Sequence, residues 1–178
     1  MENLNFERLL LKTAFSCMAC DGDIDKREVK LIKNLHKENN TFGDIDINSE
    51  LDTLLTDIND DNHQFLKNYF SELTSVELSE ANELKLIEVA IDTIKADDKV
   101  EYSEIKFFKV IRSKLKIEDE PILEKHPDFE YYLEKDIISE SYLSKLQDDF
   151  FETHTSKEFE LLNDIDEDTL RNLKKDNE

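Results

Sequence analysis

Apolar residues recur at steps of three and four along most of the chain, the spacing of one face of an α-helix. Phe6, Leu9, Leu10, Thr13, Ala14 and Cys17 predict a first helix that ends near Cys20. A second is expected over about Lys26 to Lys37, with Val29, Ile32 and Leu35 inward. The polar segment Glu38 to Asn48, which contains Gly43, reads as a loop. Ser49 is then expected to cap a short helix carrying Leu51, Leu54, Leu55 and Ile58. Another helix should run from about Asp61 to Leu73 with Phe65, Leu66, Tyr69 and Phe70 buried. Ser79 begins a long helix bearing Leu84, Ile87, Ile91 and Ile94, and a helix with Ile105, Phe108, Ile111 and Leu115 completes the core near Ile117. With only two Gly and two Pro, the chain lacks the turn residues of a sheet-rich protein.

The pattern also repeats. The acidic turn Asp21-Gly22-Asp23-Ile24-Asp25-Lys26-Arg27-Glu28 is followed 76 positions later by Asp97-Asp98-Lys99-Val100-Glu101-Tyr102-Ser103-Glu104. In that frame Leu10 pairs with Leu86, Ala14 with Ala90, Met18 with Ile94, Glu28 with Glu104 and Val29 with Ile105. The expected fold is all-α, a helical bundle of two related helix-turn-helix repeats plus a C-terminal helical extension. Two prolines within seven positions, Pro121 and Pro127, mark the candidate boundary. Residues 1–120 form the helical domain, and residues 121–178 form an extension that packs on the core or meets a partner. Its stripe is Tyr142, Leu143, Leu146 and Phe150.

Charge narrows the function. The 178 residues carry 44 Asp and Glu against 23 Lys and Arg, a formal net charge of -21. Such a surface repels phosphate backbones and anionic headgroups, which argues against nucleic acid and against direct membrane insertion. It favours divalent cations, a protein partner with a basic surface, or plain solubility, the last being the default. No apolar stretch of membrane-spanning length is present, and the acidic, mixed N-terminal residues do not read as a signal peptide, so a cytoplasmic location is expected.

The acidic turns admit two readings. If Asp25 is the N-cap of the second helix, Glu28 stands at its third position, a capping box with Ile24 and Val29 as the staple, worth roughly 1 kcal/mol. Glu101 and Glu104, with Val100 and Ile105, can do the same in the second copy, although Glu is a poorer cap. Capping leaves Asp21, Asp23, Asp97 and Asp98 unexplained, because acids at a helix C-terminus meet the negative end of its dipole. The other reading is metal binding: oxygen ligands two apart on a tight turn converge on a hard cation, and a Glu one helical turn on can close the shell. The turn is not an EF-hand, since Lys26 occupies the glycine position and Ile32 the bidentate glutamate position. Asp44, Asp46 and Asn48 repeat the spacing and fail similarly.

A helix ending in small residues, then Asp-Gly-Asp-Ile-Asp-x-x-Glu, then an apolar helix resembles the tellurite-resistance TerB family and the related helical domain of DjlA-type co-chaperones. Ala96-Asp97-Asp98-Lys99-Val100-Glu101-Tyr102-Ser103-Glu104 supplies a second copy, with Asp98 where glycine often stands; Cys20 replaces the small alanine in the first. The resemblance covers about residues 4 to 117. It implies two opposed helical repeats and a non-enzymatic, cytoplasmic bacterial protein of stress response or defence. It also implies divalent cations, calcium, magnesium or manganese, held by Asp21, Asp23, Asp25 and Glu28 and by Asp97, Asp98, Glu101 and Glu104.

Other chemistry is thin. Cys17-Met18-Ala19-Cys20 closes a helix, whereas a redox C-x-x-C opens one so that the dipole lowers the thiol pKa, and the reading is packing of small apolar thiols. His36, His63, His126 and His154 stand singly among polar neighbours and read as surface positions. No nucleophile elbow, phosphate loop or assignable acid and base appears, so no enzyme is expected. The runner-up to cation binding is an acidic adaptor whose turns are only helix caps.

Overall fold

The computed structural model describes residues 2–20, 24, 26–96, 100 and 102–133. Within them the chain is all helical. It runs α1 (Glu2–Ala19), α2 (Lys26–Asn39), α3 (Ile47–Asp60), α4 (Asn62–Ser75), α5 (Glu80–Ile94), α6 (Tyr102–Lys114), α7 (Asp119–Lys125), a 3-10 turn (Pro127–Phe129) and α8 (Glu130–Leu133). No helix among the described residues is long and apolar enough to cross a membrane.

The expected first helix has one inward face; the observed one is enclosed. Leu9 to Leu11 and Thr13 to Cys20 are all buried, because α1 packs on α5 and is also touched by α3, α4 and α6. A helix apolar on every side belongs at the centre of a bundle. Lys12 is the part-exposed exception, its Nζ 2.9 Å from Glu72 Oε2 and 5.4 Å from the centre of the Phe65 ring.

Caps explain most boundaries. Asp61 accepts from the Gln64 N–H at 2.9 Å and starts α4, and the Asp61 N–H closes α3 on the Asp57 carbonyl, so one residue makes the α3–α4 corner. Ser79 accepts from Asn82 N–H and starts α5 as expected. The cap of α3 is not Ser49. Asp46 accepts from the Asn48 and Ser49 N–H groups at 3.1 and 3.2 Å, and the helix begins at Ile47. The loop before it is less polar in effect than in composition, because Phe42 is fully buried and Ile45 and Ile47 are nearly so. Asn40 and Gly43 take the left-handed turns, φ 49° and 65°. Thr41 ties the loop to α2 through its N–H and hydroxyl, both on the Leu35 carbonyl.

The helices can be compared in the 76-residue frame. Tyr102 starts α6 where the offset from Lys26 places it. Leu10 and Leu86, Ala14 and Ala90, and Met18 and Ile94 are equally buried. The halves also differ: Val29 is buried whereas Ile105 is half-exposed, and buried Leu9 faces an exposed Lys85 in the frame.

Of the extension, residues 121–133 are described, and they pack on the same core. Pro121 lies in the first turn of α7, where a missing N–H costs nothing. Ile122, Phe129 and Leu133 are buried. The Tyr142 to Phe150 stripe lies outside the described residues.

Candidate functional site

Of the carboxylates expected to hold a cation, Glu28 and Glu104 are described. Asp21, Asp23, Asp25, Asp97, Asp98 and Glu101 lie outside the described residues. Glu28 is the third residue of α2 and Glu104 the third of α6, and each is only 6% exposed. A carboxylate in the first turn is favoured by the helix dipole. Burying one is costly unless it is hydrogen-bonded, paired or bound to a cation. Ile24, part-buried, and Val29, buried, stand on either side of the first copy as a hydrophobic staple would place them.

The two glutamates act on one place. The Cys17 thiol, at the end of α1, is pushed well up by burial first, then by the charge of Glu104, then by that of Glu28. Carboxylates 76 positions apart in sequence are therefore close enough to the same sulfur for both charges to be felt there. Cys17 and Cys20 are both buried and form no disulfide, as packing of the C-x-x-C requires. A thiol held protonated by burial is a poor nucleophile. We therefore expect Cys17 in the native protein to react with iodoacetamide at pH 8 far more slowly than in urea, as followed by mass spectrometry. Comparable rates would contradict its placement. Because the folded thiol sits above its unfolded value, the stability it confers is full below the unfolded value and is lost as pH rises towards the folded one.

Beside this sulfur runs a buried polar chain that the spacing did not reveal. The Tyr69 hydroxyl donates to Thr13 Oγ1 at 3.1 Å, and Thr13 donates to the Leu9 carbonyl at 2.8 Å. Tyr69 is fully buried between α1 and Phe107, whose ring is 6.2 Å away and nearly parallel. Its phenol is pushed up by burial and then by Cys17, with the Thr13 bond opposing. Sequence periodicity places Tyr69 inward but carries no signal for which hydroxyl it finds.

The histidines depart from the surface reading. His36, His63 and His126 are all part-buried; His36 stacks 6.3 Å from the Phe42 ring and its Nδ1 has no hydrogen-bond partner among the described residues. His154 lies outside the described residues.

For a hard cation the described residues supply a beginning of a shell. Glu28 and Glu104 offer buried carboxylate oxygens, the donor type that calcium, magnesium and manganese prefer. Among the described residues no group of three or more metal-ligating side chains is assembled. The look-alike acids of the α2–α3 loop serve otherwise, since Asp46 is the cap of α3 and Asp44 is exposed. Comparison of the chain with protein-family models, with curated proteins and with solved structures gives no match.

Proposed function

We propose that the chain is a non-enzymatic, TerB-like helical module that binds divalent cations through its acidic interhelical turns. The observation that supports this is the convergence of Glu28 and Glu104: both are buried, both sit at the third position of their helices, and both charges reach Cys17. A divalent cation beside two buried carboxylates would add favourable charge where burial is costly. Asp21, Asp23, Asp25, Asp97, Asp98 and Glu101 would complete the oxygen shell that two glutamates begin. The wider role follows from the resemblance: a cytoplasmic part of a bacterial stress-response or defence complex, docked to a protein partner.

Calorimetric titration of metal-free protein with calcium, magnesium and manganese tests the reading. Saturable heat is expected with at least one ion, lost in Asp21→Asn/Asp23→Asn and in Glu28→Gln/Glu104→Gln. The absence of saturable heat at millimolar metal would overturn it.

One observation favours the adaptor instead. Asp46 and Asp61, acids at the starts of α3 and α4, are helix caps bonded to backbone N–H groups, and in sequence Asp25 directly precedes Lys26, the first residue of α2. Under that reading the aspartate variants bind the partner unchanged.

A further inference from the structure

A cleft of about 390 Å³ opens between the C-terminal half of α2, the middle of α5 and the corner after α7. Leu35 and Val89 give it an apolar wall, and Lys85, Glu88 and Asp92 line it from α5 at steps of three and four, which puts them on one helix face. Lys125 and His126 close the far side.

The charges in this cleft are unevenly matched. Glu88 is paired with Lys125 at 2.6 Å, and Lys95, the next cation along α5, is engaged by Asp128 outside the cleft. Asp92 is half-buried, yet among the described residues nothing donates a hydrogen bond to it and nothing forms an ion pair with it. Burial pushes its carboxyl up, His126 opposes this, Glu88 adds to it and Lys95 opposes it. Lys85, exposed at the other end of the row, likewise has no carboxylate partner among the described residues. The cleft thus holds a carboxylate and an ammonium, Asp92 and Lys85, that make no hydrogen bond or ion pair among the described residues, beside an apolar wall.

We propose that this cleft binds a small primary amine, its ammonium received by the Asp92 carboxylate and its carbon body lying against Leu35 and Val89. An anion would find only the exposed Lys85, because Lys125 is already neutralised by Glu88, and the chain's net charge of -21 draws cations rather than anions. A bare metal ion would leave the apolar wall unused and would find one carboxylate already engaged. Lys85 stands two helical turns from Asp92, about 10 Å along α5. An amine that also carries a carboxylate at that distance would meet both groups, so plain amines and zwitterions share the chemistry and are separated by experiment.

The test uses the full chain, labelled with ¹⁵N and titrated at fixed pH and ionic strength with butylamine, 6-aminohexanoate and hexanoate. Butylamine should produce saturable amide shifts confined to residues 35–41, 85–92 and 125–126, with affinity in the millimolar range that a ligand of this size reaches. Hexanoate should produce none. Asp92→Asn, nearly isosteric and half-exposed, should keep a dispersed spectrum and weaken amine binding about tenfold, the loss of one charge-assisted hydrogen bond. If Lys85→Ala weakens 6-aminohexanoate alone, the site is built for a zwitterion; if it weakens neither ligand, for a plain amine. Shifts that do not saturate, hexanoate shifts equal to those of butylamine, or unchanged binding in Asp92→Asn would overturn the proposal. Glu28→Gln/Glu104→Gln should leave amine binding intact, which separates this cleft from the proposed cation site.

Discussion

Replacing Phe129 by Ala should lower the stability of the chain by about 3–5 kcal/mol, the usual loss for a phenylalanine removed from a packed core. The measurement is the shift in urea midpoint at unchanged slope, with exposed Tyr131→Ala as the control, expected within about 0.5 kcal/mol of the parent. Phe129 is fully buried although it follows two prolines. It meets Phe108 of α6 edge to face at 5.3 Å and Tyr132 at 4.8 Å, and Lys95 of α5 lies 5.2 Å from its ring centre. A small effect would mean that the segment after Pro121 is laid on the core rather than built into it. The result bears on function directly. A chain ended at Glu120 would strip Ile122, Phe129 and Leu133 from the core, so loss of partner capture in that truncation would report unfolding as much as a lost docking segment. Ending the chain at Leu133 keeps those three contacts and isolates the contribution of residues 134–178 to any partner.

The helices themselves were legible because their apolar spacing is regular and their breaks are polar. Asp61 and Ser79 announced their helices, since each is a strong cap followed at once by helical periodicity. The α2–α3 loop misled because averaging over Glu38 to Asn48 hides Phe42 and Ile45, two anchors whose burial depends on where α1 and α2 leave room for them. Ser49 looks like the cap because it is a good one; Asp46 takes the place because Ile47 enters the core, which sets the helix start three residues earlier. At the candidate site, the doubled turn identified Glu28 and Glu104 as equivalent, but nothing local says that a glutamate in a first helical turn is buried. That follows from α1, whose C-terminal end is enclosed and whose Cys17 feels the charge of both glutamates. The cleft at Asp92 was illegible for the same reason: its three walls are contributed by residues 35, 85–92 and 125–126.

Glu83→Ala should cost about 3 kcal/mol, because it removes a charged acceptor from two backbone donors at once. Glu83 is 6% exposed, and its Oε2 accepts the Lys116 N–H at 2.8 Å and the Ile117 N–H at 2.6 Å. These amides lie just past the end of α6, outside its i to i−4 hydrogen-bond ladder. Without the carboxylate the buried Ile117 N–H has no route to water, so the desolvation penalty falls on the folded state. Glu83→Gln, which keeps a carbonyl oxygen but loses the charge, should cost less than half as much, and exposed Glu80→Ala should be within about 0.5 kcal/mol of the parent. Urea denaturation of the three variants gives the order; equal losses for Ala and Gln would show that the side chain packs rather than accepts. The 76-residue offset gives this carboxylate a counterpart. Glu7 precedes Glu83 by that distance, and its carboxylate lies so close over Gly43 that a Cβ there would overlap it. Glu7 of α1 thus reaches the loop after α2, and Glu83 of α5 the chain just past α6. Glu7 is only part-buried, so Glu7→Ala should cost less than Glu83→Ala. Glu83 thereby holds the chain just past α6 against α5.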